Sequence, residues 1–520
     1  MSAVRSESID IHPVANRSLG RQFIFNSIAT GVFYALSLVI GLWYTRFTVH
    51  KLGVANLAVV SLAAGFINYL AFVAISVSAS VGRFVLADFA RGDIAAANCT
   101  FNSFLVAAER VTLILVAAIA GIVWFVVPLL DYPAGQLNTT RFVFAAILGS
   151  CILQIWSMCF DSAIWISGRI DIRYAILTAE LLIRSGTVFI LFTMTQPQLW
   201  HIALACAVAP LSALVLYYIA WKKLTPELSI SRAQFDQGRF REIRGMGGWL
   251  LVMQVGTALQ FNTDLLLLNL LLGREIQGSY GLLLTWVNIL RGLFGSMGQL
   301  LSPSLAALQA NEDSEKITDL SSKAVRMQGL LISIPVGVLC GLSSPALNWW
   351  LGPNFTFLAP LTWLILVPLV LEGSFYPAFI LIQSPATIPF AAKASVAIGL
   401  LNVVLGVTLV KFTSLGMYGI ALSTAATSLI RHGLVLPAYA ASVLHKPWYT
   451  YIQQQSQGLI QLGLTGVIAF YTSQYLASGS RSFGSLVTAA LLSGSVATCF
   501  VLLQLSQAER ARLTGLIRRR

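Results

Sequence analysis

Charge is scarce in this chain. Only 10% of its 520 residues are Asp, Glu, Lys or Arg, where soluble domains carry about 25%. Hydrophobic residues reach 57% and mean hydropathy is +0.78, which excludes an ordinary soluble domain. Aromatic residues stand at 11% and Gly and Pro show no period, which excludes disordered and fibrous classes. Cysteine is sparse: Cys99, Cys151, Cys159, Cys206, Cys340 and Cys499. None has CxxC or zinc spacing, so neither a disulfide framework nor a zinc site is expected. All lie in apolar runs except Cys99, which is expected in a cytoplasmic loop. Hydrolytic constellations, phosphate loops and cofactor fingerprints are missing, which argues against an enzyme and implies no cofactor. His50, His201, His432 and His445 form no metal-spacing cluster. The opening segment, MSAVRSESIDIHPVANRSLGRQ, lacks the apolar run of a signal peptide.

Long apolar runs are what the chain has. A helix needs about 20 apolar residues to cross the hydrocarbon core. About fourteen such spans are expected: 23–45, 57–81, 107–130, 142–166, 174–194, 199–221, 247–271, 278–304, 327–350, 358–382, 390–411, 417–441, 457–476 and 483–505. The runs are continuous rather than alternating, so helices are favoured over a barrel. The expected fold is all-α and polytopic, with two six-helix pseudo-repeat lobes and two further C-terminal helices.

The net charge of +13 would suggest nucleic acid in a soluble protein. Here it follows from cytoplasmic loops, which collect Lys and Arg, and no nucleic-acid partner is expected. With the N-terminus inside, 23 basic residues fall on inside segments and six outside: Arg46, Lys51, Arg141, Arg274, Lys411 and Arg481. This bias predicts cytoplasmic termini and an even number of spans in an inner or plasma membrane.

A repeat at one offset supports the lobes. Leu52-Gly53 recurs as Leu272-Gly273, and Gly92-Asp93 is matched by Glu312-Asp313. Ile202-Ala203-Leu204 recurs as Ile420-Ala421-Leu422. Six spans per unit give both units the same topology, related by an axis along the membrane normal. The expected boundaries are 1–22 for a cytoplasmic segment, 23–221 for the first lobe, 222–246 for a basic linker and 247–441 for the second lobe. Residues 442–505 hold a loop and two extra spans, and 506–520 form a basic tail. The linker is expected to carry an interfacial helix on anionic lipid. A docking site for a partner or a substrate headgroup is the alternative.

Four stretches then point to a family. YTRFTVHKLG, a span, and GRFVLADFARGD resemble the opening of the polysaccharide-flippase (O-antigen type) branch of the multidrug/oligosaccharidyl-lipid/polysaccharide exporter superfamily. NTDLLLLNLLLGREIQGSYG resembles the start of that family's second half, and LNWWLGPNF its ninth-span exit. LNVVLGVTLVKFTSLGMYGIALSTAATSLI is similar to its spans eleven and twelve. The resemblance covers about residues 20–445. It implies two lobes around a V-shaped cavity and the flipping of lipid-linked glycans, such as polyprenyl-diphosphate oligosaccharides, to the outer leaflet. Membrane lipid and the lipid-linked glycan are the implied partners, with polysaccharide polymerase or glycosyltransferase machinery beside them. Related branches are lipid II flippases and cation-coupled drug antiporters. A membrane-embedded polymerase or ligase is disfavoured, because the outer loops near 131–141 and 351–358 are short.

Charges inside spans carry the site expectation. Each costs about 2.5–3.5 kcal/mol at mid-membrane on insertion scales, so it faces a cavity or a partner. Six are central: Glu180, Arg184, Asp264, Arg291, Glu372 and Arg431. Glu180 and Arg184 are four apart on one helix face, forming an internal pair or a cavity-lining Arg184 tuned by Glu180. Arg291 and Arg431 are the expected phosphate contacts, because guanidinium forks match phosphate oxygens. The alternative is that they pair with Asp264 and Glu372. Those two acids, with Glu180, are the ion-coupling candidates, while Asp264 could equally be a helix-packing group or the partner of Arg291. Arg46 is either an interfacial snorkel or an outer-gate substrate contact. Pro368, Pro377, Pro385 and Pro389 are expected hinges or static kinks.

Overall fold

The computed structural model describes residues 16–299, 314–383, 387–477 and 483–504. Among the described residues there is no strand. The first half contains α1 (Asn16–Leu52), α2 (Val54–Ala90), α3 (Ile94–Gly121), α4 (Leu137–Ser167), α5 (Ile170–Met194) and α6 (Leu199–Leu224). The second begins with α7 (Gln237–Phe261), α8 (Thr263–Leu272), α9 (Arg274–Gln299), α10 (Ser314–Gly341) and α11 (Ser343–Trp350). It continues with α12 (Ala359–Phe379), α13 (Ile388–Phe412), α14 (Met417–Ser428) and α15 (Leu436–Val443). α16 (Thr450–Ala477) and α17 (Phe483–Gln504) follow.

α7 and α8 form one path broken at Asn262, and α14 and α15 form another, joined by a π-helical segment at Leu429–Val435. Each of the fourteen expected spans overlaps one such path. Eleven candidate spans among the described residues meet the length and hydropathy needed to cross a bilayer. The protein is an all-α polytopic membrane protein.

Two of the three matched stretches have like local structure. Gly53 and Gly273 both end a helix in the left-handed region, at φ 79° and 87°, which a side chain with a Cβ adopts at a cost. Ile202 and Ala203 are buried and Leu204 exposed, and Ile420, Ala421 and Leu422 repeat that order. The other matched pair falls partly on Glu312-Asp313, outside the described residues. So do Pro385, the opening segment to residue 15 and the tail from residue 505.

Three local expectations change. Cys99 lies within α3, not in a loop, because Asp93 caps that helix early by accepting from Ala96 N at 2.9 Å. Pro389 starts α13 rather than breaking a helix. Pro368 and Pro377 do lie inside α12. The linker between the halves holds no separate interfacial helix before α7, only a 3-10 turn at Arg232–Gln234. Its backbone is instead held by α3. Asn98 donates to Glu227 O at 3.0 Å and accepts from Ser229 N at 2.8 Å. One turn on, Asn102 donates to Ser229 O at 2.9 Å and accepts from Ser231 N at 2.8 Å. Two amides four residues apart face one way on a helix, and each mimics a peptide toward the linker backbone.

The halves are joined toward the end that the basic-residue bias assigns to the outside. There Asn269 of α8 accepts from Asp131 N at 2.8 Å and donates to Asp131 O at 3.1 Å, and Arg274 pairs with Asp131 at 3.2 Å. Gln277 donates to Ser61 Oγ at 2.9 Å, and Trp350 Nε1 donates to Leu42 O at 2.8 Å. Tyr34 donates to Gly292 O at 2.9 Å deeper between α1 and α9.

α16 and α17 are not loose appendages. Gln455 donates to Leu371 O and His432 O, both at 3.1 Å, and Gln461 donates to Ala497 O at 3.2 Å. In an apolar surrounding each such amide is fixed where its partners are.

Candidate functional site

The break in span seven decides where Asp264 sits. Because α8 restarts at Thr263, Asp264 occupies its first turn, where the helix dipole favours a carboxylate. It is 2% exposed. Its partners come from three other helices. Tyr280 of α9 donates at 2.9 Å, Thr424 of α14 reaches both oxygens at 3.0 and 2.8 Å, and Asn402 of α13 donates at 3.3 Å. All three are neutral, so Asp264 packs through hydrogen bonds and does not pair with Arg291.

Arg291 pairs elsewhere. Nε donates to Glu372 Oε1 at 2.7 Å and Nη2 to Oε2 at 2.9 Å. This bidentate fork is the stronger form of an ion pair. The guanidinium lies 4.5 Å from the Phe261 ring centroid, a further favourable contact. Arg291 and Glu372 therefore neutralise each other across α9 and α12.

Arg431 has no such partner. It stands in the π-helical segment of span twelve and is 3% exposed. Nη1 donates to Gln260 Oε1 and Nη2 to Thr257 Oγ1, both at 2.8 Å. Both acceptors are neutral, and its Nε is buried without a partner. Among the described residues it forms no ion pair. His432 beside it has both ring nitrogens buried and unpartnered, with its ring stacked 6.4 Å from Phe261. The π turn places these two residues consecutively in the helix interior, and such turns recur at functional sites.

A small cavity of about 30 Å³ is lined by both acids, Asp264 and Glu372, with Arg291, Tyr280 and Thr424 among others. A water needs about 10–15 Å³ by such a measure, so the space fits a bare cation or one or two waters.

The remaining expected residues lie apart. Arg184 donates to Glu180 at 2.5 Å within α5, with side chains 38% and 15% exposed. This is the local pair, in the first half. Arg46 is exposed, with its guanidinium 5.4 Å from the Trp349 ring, so it bridges the two halves at the outer end. Sequence reasoning did not single out Thr257, Gln260, Phe261 or Thr424, and noted Tyr280 only as part of a family-like stretch. Asn402 and Thr424 do lie in the family-like stretch, as polar residues inside apolar runs.

No family model matches the chain. A relative in Bacillus subtilis (strain 168), the uncharacterized membrane protein EpsK, is 31% identical over 424 residues, covering 81% of this chain and 84% of its own. Among solved structures, an inward-facing multidrug resistance MATE transporter of the MOP superfamily aligns with TM-score 0.60 at 12% identity, over 84% of this chain and 98% of its own. The lipid II flippase MurJ, in an inward closed conformation, aligns with TM-score 0.61 at 14% identity, over 92% and 99%. The chain thus has the fold shared by these transporters, and it belongs to the family of the Bacillus subtilis membrane protein EpsK.

Proposed function

We propose that this protein is a transporter, not an enzyme, that flips a polyprenyl-diphosphate-linked oligosaccharide from the cytoplasmic to the outer leaflet. The observation that carries the reading is Arg431, a buried cation whose side-chain hydrogen bonds go only to neutral groups. A charge in that setting is expensive unless something opposes it. A diphosphate brought between the lobes supplies the missing anion, and His432 offers ring nitrogens beside it. Arg291 joins when the substrate competes for its fork with Glu372. The polyprenyl tail stays in lipid while lobes 23–221 and 247–441 rock about the 222–246 linker. Contacts at the outer end fit a state closed on that side. The reading includes an inner (plasma) membrane location, cytoplasmic termini, and polymerase or glycosyltransferase machinery as neighbours.

A second reading has one observation in its favour. Asp264 and Glu372 share a cavity that fits a cation, as a cation-coupled drug or small-molecule antiporter requires. The same cavity could couple an ion to flipping. Headgroup translocation in proteoliposomes with a defined polyprenyl-diphosphate glycan separates the two. Flipping that falls at least tenfold, about 1.4 kcal/mol, in Arg431→Gln supports the flippase. Cation-driven efflux of small amphiphiles, with no flipping, supports the antiporter.

A further inference from the structure

A second, larger cavity lies away from the central charges. It holds about 1040 Å³ and opens where the outer ends of α10, α11, α12, α16 and α17 converge. That is the upper end of the size range of small-molecule sites. Its lining is unusual for a groove in lipid. Trp349, Trp363 and Phe470 supply rings, and Ser344, Asn348 and Gln474 supply hydroxyl and amide groups. Among the described residues that line it, none is acidic or basic.

This chemistry selects an occupant. An acyl chain would gain nothing from hydroxyls and amides, which are costly beside hydrocarbon unless paired. A phosphate would call for cations, and the described lining residues supply none. An uncharged sugar suits both parts of the lining: its C–H face lies on indole rings, and its hydroxyls exchange hydrogen bonds with neutral amides and hydroxyls. Arg46 sits beyond Trp349 and comes from the other half. When the halves part on the outer side, that contact breaks, freeing the Trp349 ring on the groove side and the Arg46 guanidinium on the facing half.

We propose that this groove is a release-side binding site for uncharged sugar residues of the transported glycan. The inference rests on the flippase reading. On arrival at the outer leaflet the first sugars settle against Trp349 and Trp363, with the diphosphate outside the groove near Arg46. The site would hold the headgroup on the outer side and oppose its return.

The test uses the full chain in membranes of its own host, which makes the glycan. Phe470, in the groove, or Tyr34, between the halves, is replaced by p-azidophenylalanine, and adducts formed under light are identified by mass. The expected result is glycan-bearing adducts at both positions. The groove adduct should fall about fivefold when Asn348→Ala and Gln474→Ala are combined, through loss of hydrogen bonds to the sugar, while the Tyr34 adduct stays. Glycan adducts at position 34 with only phospholipid or no adduct at position 470 overturn the groove assignment and leave the flippase reading standing. Glycan adducts at neither position overturn both.

Discussion

The two halves differ in how they treat charge. In the first half the central charges are Glu180 and Arg184, neighbours on one helix and partly exposed. They satisfy each other locally whatever the other helices do. In the second half, Asp264, Arg291, Glu372 and Arg431 come from four spans and are bound across helix interfaces. Both halves keep a Gly turn, at Gly53 and Gly273, while the second takes on most of the central ionisable chemistry. Local pairs follow the helix, whereas dispersed charges depend on how helices are placed and can report on movement.

That contrast can be broken most severely at Arg291. Arg291→Ala leaves Glu372 buried and unpaired, and stability is expected to fall by about 3–5 kcal/mol, read as a lower Tm in detergent. Arg291→Met combined with Glu372→Met should recover most of that loss, because it removes both charges. Arg431→Gln should behave in the opposite way. It deletes a cation that makes no direct ion pair, so the Tm should nearly hold while flipping is lost.

Asn269→Ala removes both amide bonds to the Asp131 backbone. It should weaken the outer contacts by about 1–3 kcal/mol and raise labelling of cysteines placed at positions 61 and 277. Asp264→Asn keeps a neutral acceptor for Tyr280 and Thr424, so folding should survive. Dependence on an ion gradient should disappear, measured as equal transport with and without the gradient. The smallest effect belongs to the first half. Arg184→Ala breaks a pair one helical turn apart and leaves a partly buried Glu180, so its stability cost should stay below that of Arg291→Ala, with flipping nearly unchanged. A large loss of flipping there would contradict the asymmetry.

The spans were legible in the sequence because apolar runs of bilayer length have few alternatives. The Glu180–Arg184 pair was legible because a spacing of four defines one face. For Arg291 the sequence left two acids open, and only the packing of α9 on α12 selects Glu372. Arg431 was less legible still. Its acceptors, Gln260 and Thr257, are neutral and lie 171 and 174 residues away. The break at Asn262 and the π turn at Leu429–Val435 leave no periodic trace in a run that is apolar all round. Cys99 was misplaced because α3 begins at Ile94, well ahead of the apolar run expected from 107, in a stretch that holds polar Asn98 and Asn102. They are helical residues whose amides hold the linker.

The central claim is that Arg431 is held in reserve for a phosphate group. The direct measurement is binding of polyprenyl diphosphate without its glycan to the purified protein in nanodiscs. Wild type, Arg431→Gln and Arg184→Ala would be compared. The account predicts that Arg431→Gln weakens binding at least tenfold, about 1.4 kcal/mol, and that Arg184→Ala leaves it unchanged. Equal binding by wild type and a folded Arg431→Gln protein would contradict it.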